Sequence, residues 1–326
     1  MFNTLNRLRR QALLLILSAG LLAACGSDDE AATGSGGVSN PPPAAAVKKL
    51  YVFGDSLSDA GNLGDVLPFG ATLPAPFYMN RISNGPVIVD HIAQSLGLTL
   101  SNSDFLSTEE RGTNYAVSGA RAFDSDPVDL AVQIESFAAK NNGRADPAAN
   151  YIVFIGGNDV LGSVGNPAST AMLDSAVNEI VKAVQALILL GARNVYVFNV
   201  PDIGRTPKLI SQEAAGDVGS VARASDLSRY FNLQLATRVG AITAPGVTLT
   251  QVDIFGIFDQ LLANAASSGF TDTTRPCYET SAFQFAAYCN QSLLDSFIFF
   301  DTIHPSGRTH RLIGEEVVRR IGASLI

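Results

Sequence analysis

Six short runs rich in β-branched and aromatic residues punctuate the chain from position 50 onward: Leu50–Phe53, Thr113–Ala116, Tyr151–Ile155, Val195–Asn199, Thr248–Val252 and Phe297–Phe300. Each has strand length, and runs such as Leu50–Phe53 and Tyr151–Ile155 are too apolar for a strand with one solvated face. Between them lie segments with helical spacing of apolar positions, such as Val87–Leu96, Ala131–Ala139, Ala171–Leu190 and Ser225–Ala241. Apolar strands separated by helices predict a mainly parallel sheet covered on both faces. The expected fold class is α/β, a three-layer α/β/α sandwich. Ligands of such sheets bind beyond the carboxyl ends of the strands, near the point where strand order reverses. Chemistry is therefore to be sought just after each strand.

The first 46 residues follow neither pattern. Arg7, Arg9 and Arg10 precede the apolar stretch Gln11 to Leu22, which has the charge and length of a secretory signal and is too short for a membrane span. The next residues, Leu22-Ala23-Ala24-Cys25, resemble a bacterial lipobox. That resemblance makes residues 1–24 a lipoprotein signal peptide and Cys25 the lipidated first residue of the mature chain. The other reading is an Ala-x-Ala-type cleavage site beside an incidental cysteine. Gly26 to Ala46 is built of Gly, Ser, Ala, Asp and Pro and carries Pro41-Pro42-Pro43; it cannot bury a core and reads as a flexible to polyproline-like tether. Residues 25–46 thus form a lipidated cysteine and linker, and residues 47–326 a single domain without internal repeats. The expected location is a bacterial cell-envelope membrane, and Gly26 in place of an aspartate retention signal points to the outer one, on either face.

Composition narrows the function. Charged residues make up 16% of the chain and apolar ones 47%, which excludes disorder over most of its length. The formal charge is −8 and becomes −11 once a leader with three arginines and no acid is removed. Without a basic stripe, nucleic acid is not an expected partner. No H-E-x-x-H, P-loop, dinucleotide-binding glycine fingerprint or C-x-x-C pair occurs, so neither a metal nor an organic cofactor is implied.

Chemistry-bearing fragments fall where the sheet predicts them. The first strand ends in Gly54-Asp55-Ser56-Leu57-Ser58-Asp59, and Ser56 just past a strand end can stand exposed at the sheet rim. The same residues can equally be helix caps. A serine nucleophile needs a base, and the chain has three histidines, His91, His304 and His310. His304 lies on a short segment after the last apolar strand with Asp301 three residues earlier, a spacing that lets the carboxylate orient the imidazole. His91 reads as a solvent-facing helix residue, and His310 as a structural or supporting group on the last helix. Gly119 in Val117-Ser118-Gly119-Ala120 and Asn158 in Gly156-Gly157-Asn158-Asp159 offer a backbone N–H and a side-chain amide at the same edge, as an oxyanion hole requires. Taken singly, each is as readily a bend or a turn.

The ordered set Phe53 to Asp59, Gly119, Gly156 to Asp159 and Asp301-Thr302-Ile303-His304-Pro305 resembles the sequence blocks of the GDSL lipases and esterases, the SGNH hydrolases. The resemblance implies a flavodoxin-like sandwich, Ser56 as nucleophile, His304 as general base and Asp301 as its orienter. It also implies an oxyanion hole of the Ser56 and Gly119 N–H groups and the Asn158 amide. The reaction implied is carboxylic ester hydrolysis through an acyl-serine. Gly61-Asn62 and Ser83-Asn84-Gly85-Pro86-Val87 resemble a bacterial subgroup of autotransporter esterases, lysophospholipases and glycerophospholipid-cholesterol acyltransferases. Phe300 and Ile88 stand where that subgroup often has tryptophan. The implied substrates are small esters or lysophospholipids, with no obligate protein partner; transfer of an acyl chain to a sterol or other alcohol, hydrolysis of choline esters, and a silent binding lipoprotein are the alternatives.

Cys277 and Cys289 remain. An exported chain favours a disulfide between them, worth about 3 kcal/mol on chain-entropy grounds, over two buried thiols. The loop they close carries Tyr278, Phe283 and Phe285, and the loop from Leu63 to Asn80 carries Phe69, Phe77 and Tyr78. These aromatics are expected either to wall a cleft from two sides or to bury one another.

Overall fold

The computed structural model describes residues 49–67, 71–107, 112–124 and 126–325. The leader, Cys25, the tether and Phe69 lie outside the described residues. Four strands, β1 (Leu50–Gly54), β2 (Asn150–Phe154), β3 (Asn194–Phe198) and β4 (Thr248–Val252), form one parallel sheet in that order. Thr113 to Val117 runs along the free side of β1, with Val52 N–H donating to Thr113 O, Tyr115 N–H to Val52 O and Val117 N–H to Gly54 O. The spatial order is then second, first, third, fourth, fifth by sequence, the flavodoxin-like arrangement whose switch point lies beside the first strand.

The helices are α1 (Leu63–Val66), α2 (Ile88–Ser95), α3 (Leu130–Lys140), α4 (Gly157–Ser163), α5 (Ser169–Leu190), α6 (Pro207–Ala214), α7 (Ser220–Gly240), α8 (Ile254–Ala263) and α9 (Gly307–Ile321). Side chains alternate across the strands, and in β1, β2 and β3 both faces are buried. Tyr51, Phe53, Tyr151, Val153, Val195 and Val197 pack into one core with residues of α3, α5 and α7. Leu50, Val52, Ile152, Phe154, Tyr196 and Phe198 pack into another with residues of α2, α8 and α9. Two apolar faces on each of these three strands are what their unalternating runs required, whereas the edge strand β4, Thr-Leu-Thr-Gln-Val, fully buries only Val252.

Two expected strands behave differently. Thr113–Ala116 makes only isolated bridges, to Val52 and Asn102. Asn114 diverts local backbone bonding: its Oδ1 accepts from Ala116 N–H, and its Nδ2 donates to Ser58 O. The last run is β8 (Phe297–Phe299), and it pairs in parallel with β5 (Asp272–Pro276) rather than with β4. Two two-residue strands, β6 (Tyr278–Glu279) and β7 (Gln284–Phe285), close a small antiparallel hairpin between β5 and β8.

Candidate active site

Ser56 follows β1 in a tight turn that Ser58 N–H closes onto Asp55 O at 3.0 Å. Gly54 is required there, since a Cβ on it would come within 2.2 Å of Phe154 O. The end of the strand is held from above by α3. Gln133, fully buried, accepts from Gly54 N–H through Oε1 at 2.8 Å and donates through Nε2 to Gly54 O at 2.8 Å. Both polar groups of the last strand residue are thereby engaged by one amide, which fixes the direction in which the next two residues leave the sheet.

His304 arrives from the opposite side of the switch point, on the short loop between β8 and α9. Phe300 N–H donates to His304 O, and Ser306 N–H to Ile298 O, each at 2.8 Å, so the loop is a closed hairpin. Asp301 is turned inward, and its Oδ1 accepts from the N–H groups of Ile303 and His304 at 2.9 and 2.7 Å. His304 Nδ1 lies 2.9 and 2.8 Å from the two Asp301 oxygens, and Nε2 lies 2.9 Å from Ser56 Oγ. A carboxylate can only accept, so Nδ1 carries the proton and Nε2 is left with its lone pair toward the hydroxyl. Burial pushes the Asp301 carboxyl up, but the adjacent imidazole and the two loop N–H groups outweigh it and hold it below the usual carboxylate range.

The Ser83-Asn84-Gly85 segment buttresses this loop. Ser83 Oγ donates to Pro305 O at 3.1 Å, and Asn84 Oδ1 accepts from Gly307 N–H at 2.8 Å. Gly85 and Gly307 approach so closely that a Cβ on either would lie about 3 Å from the other's Cα.

Asn158 Nδ2 donates to Ala120 O at 2.9 Å, which brings the Gly119 segment and the first turn of α4 together. Gly119 has φ +90°, a left-handed conformation that favours glycine. Two buried carboxylates fix the segment on either side of it. Asp59 Oδ2 accepts from Ser118 N–H and Oγ–H at 2.8 and 2.9 Å, while Asp159 accepts from Ala122 N–H and Phe123 N–H at 2.9 and 3.0 Å. Gly156, at φ +124°, has Phe231 Cζ within 2.4 Å of where a Cβ would stand, so the turn entering α4 tolerates no side chain.

The sequence marks Asp55 only as a possible helix cap. It is buried beside Ser56, accepts from Leu57 N–H at 3.0 Å and faces Gly157 N–H. Burial raises its carboxyl to about 7 against the pull of these donors and of His304.

Ser56, His304, Asp55 and Asn158 open on one cleft, whose other walls are mostly apolar. Among the described residues, neither aromatic loop supplies a lining residue. Cys277 and Cys289 are joined in a disulfide, and Tyr278 stacks on Phe300 while Phe77 meets both edge-on at centroid distances of 5.2 to 5.5 Å. Phe77 and Tyr278 thus bury one another behind Asp301 instead of walling the cleft, while Tyr78 and Phe283 stay exposed. His91 is half-buried rather than solvent-facing, because the close approach of α2 to Gly314 of α9 encloses it. His310 is fully buried and driven down to about 3, chiefly by burial, with His304, His91 and Arg81 adding to the effect; its Nδ1 has no hydrogen-bond partner among the described residues.

A family model described as GDSL-like Lipase/Acylhydrolase matches residues 50–317. The chain is 25% identical to a GDSL esterase/lipase of Arabidopsis thaliana over 86% of its length and 92% of the relative's. It is 30% identical to acetylajmalan esterase 2 of Rauvolfia serpentina over 70% of its length and 75% of that enzyme's. It is also 28% identical to a phosphatidylcholine-sterol acyltransferase of Aeromonas hydrophila over 71% of its length and 65% of that enzyme's.

Proposed function

The chain belongs to the GDSL-like lipase and acylhydrolase family and is a carboxylic ester hydrolase; we propose that Ser56 is its nucleophile and that His304 and Asp301 complete the triad. The observation that carries this reading is the unbroken line of contacts from Asp301 through His304 to Ser56 Oγ, each within 2.9 Å. His304 Nε2 takes the hydroxyl proton as Ser56 Oγ attacks the ester carbonyl carbon. The developing imidazolium is stabilised by Asp301, whose carboxylate is already held ionised. The oxyanion meets the Ser56 and Gly119 N–H groups and the second N–H of the Asn158 amide, the first being engaged by Ala120 O. His304 then returns the proton to the departing alkoxide, and the acyl-serine is hydrolysed by a water that His304 deprotonates in turn. No step uses a metal or cofactor.

Acyl transfer to a second alcohol, a sterol included, is the second reading, favoured by the similarity to the acyltransferase. The two share every step up to the acyl-serine and differ in the nucleophile that resolves it. Lysophospholipids and choline esters are the other substrate classes the sequence leads one to test at the same site. Export on a lipidated Cys25 rests on the lipobox-like Leu22-Ala23-Ala24-Cys25 and the low-complexity tether after it. A tether of this composition lets the domain reach esters at or near a membrane surface.

Hydrolysis of a p-nitrophenyl ester by the purified chain, set beside Ser56→Ala, tests the first reading. Activity that survives the substitution overturns it. Formation of cholesteryl ester from phospholipid and cholesterol separates transfer from hydrolysis. Movement of the protein out of the membrane fraction on Cys25→Ala tests the anchor, and unchanged fractionation refutes it.

A further inference from the structure

Deepening the proposed reaction at Ser56, and resting on it, we propose that the enzyme selects short acyl groups, because the apolar part of its cleft is a shallow pocket closed by the protein's own core. Polar groups gather around the nucleophile, and the remaining walls are largely hydrocarbon. Leu161 and Ile203 come from the core on one face of the sheet, and Ile254, Phe258 and Ile313 from the core on the other. The pocket therefore sits where the two cores meet at the carboxyl edge of the strands. Two polar residues line it as well, Asp202 and Thr206, and both are engaged within the protein. Asp202 Oδ1 accepts from Gly204 N–H and Ser225 Oγ–H at 3.0 and 2.7 Å, and Thr206 Oγ1 donates to Ile203 O at 2.8 Å. Neither demands a polar acyl group.

The space is small. The cleft measures about 60 Å³, and a water-sized guest needs about 10–15 Å³ by this measure, so it accepts on the order of four or five carbons. Ile254, Phe258 and Ile313 are 1, 3 and 2% exposed, and Phe258 is set edge-on against Phe299 with centroids 6.0 Å apart. A longer chain would have to displace side chains that are close-packed in the second core, and such overpacking is costly. The alcohol half of the ester meets no such limit, since it leaves by the open mouth of the cleft.

The test is a chain-length series on the full-length protein: p-nitrophenyl acetate, butyrate, octanoate and dodecanoate, with lysophosphatidylcholine carrying a long acyl chain as a natural counterpart. The expected kcat/KM rises about fourfold per methylene up to four or five carbons and falls about 10- to 100-fold by dodecanoate. The lysophospholipid should be a correspondingly poor substrate. A kcat/KM that keeps rising through dodecanoate overturns the proposal. Phe258→Ala should move the optimum toward octanoate, and Ile254→Val, which perturbs the core less, should move it in the same direction by a smaller step. If active variants leave the optimum unmoved, the pocket is wrongly assigned; if Phe258→Ala does not fold, the wild-type series and Ile254→Val decide. Ser56→Ala, run in parallel, separates the two levels: activity persisting there refutes the site itself, whereas Ser56-dependent activity with a long-chain optimum refutes only the pocket.

Discussion

His304 Nε2 and Ser56 Oγ, 248 positions apart in the chain, meet at 2.9 Å across the mouth of the switch point. Because Asp301 holds the imidazole by Nδ1, the three groups should behave as a unit. Ser56→Ala and His304→Ala are each expected to lower kcat by about 10⁴- to 10⁶-fold, and the double variant by little more than either alone. Asp301→Asn should cost somewhat less, about 10³- to 10⁴-fold, by presenting the wrong hydrogen-bonding partner to Nδ1. Steady-state ester hydrolysis, with circular dichroism to verify folding, measures all four.

Gln133 holds both the N–H and the C=O of Gly54 from α3. Gln133→Leu fills similar space but strands the buried Gly54 N–H, which should cost about 1–3 kcal/mol of stability. A nucleophile turn that is no longer aimed should lose kcat more than it changes KM. Thermal denaturation and a KM-against-kcat comparison check the two effects, and Gln133→Glu at low pH, where its protonated carboxyl can accept and donate as the amide does, should recover part of the loss.

The large features of this fold were legible because they are periodic. Continuous apolar runs such as Tyr151 to Ile155 demanded two covered faces, and both are covered. The spacing of Asp301 and His304 was legible because their contact is local. Gln133 and Asp159 were not, since each binds backbone that only the tertiary fold brings near; Asp55 and Asp59 were legible only as local caps, their bonds to Gly157 and Ser118 being tertiary as well. Gln133 did leave a trace. It lies on the buried face of α3 with Leu130, Ile134 and Phe137, a polar residue where helical periodicity calls for an apolar one. The partner of β8 left none: β5 reads Asp-Thr-Thr-Arg-Pro, which has no strand-like apolar pattern and is ordered by contacts rather than propensity. The aromatic loops signalled burial of Phe77 and Tyr278 but not the exposure of Tyr78 and Phe283, because composition does not say which surface an aromatic covers.

Asp55 makes stability depend on pH in a direction opposite to Asp301. Its carboxyl is raised from 3.8 to about 7, chiefly by burial, so between these values the folded chain keeps a proton that the unfolded chain releases. Its contribution is therefore present in full below about pH 4, declines as pH rises toward 7, and is lost above that. Asp301, held low, contributes stability above the ordinary carboxylate range that is lost as pH falls through its folded value. Asp55→Asn retains an acceptor for Leu57 and Gly157 N–H but cannot ionise. The melting temperature of the Asp55→Asn variant relative to the wild type should rise from about pH 4 to about pH 8 and then level off. A difference that is flat across this window would show that Asp55 is ionised in the folded chain throughout.

The disulfide's influence on catalysis should run through the backbone behind Asp301. Tyr278, next to Cys277, donates its N–H to Phe300 O at 2.8 Å and stacks on the Phe300 ring, while Phe300 N–H donates to His304 O. Opening the bridge frees a loop of 12 residues' separation, a loss of about 3 kcal/mol on chain-entropy grounds. Since the loop does not line the cleft, the Cys277→Ala/Cys289→Ala double variant should keep the wild-type order of preference among acyl chains. It should melt several degrees lower and lose a modest part of kcat as the His304 loop loosens. A changed chain-length profile at unchanged kcat would instead place the loop's aromatics against the substrate, and comparing both quantities in the same ester series decides between the two.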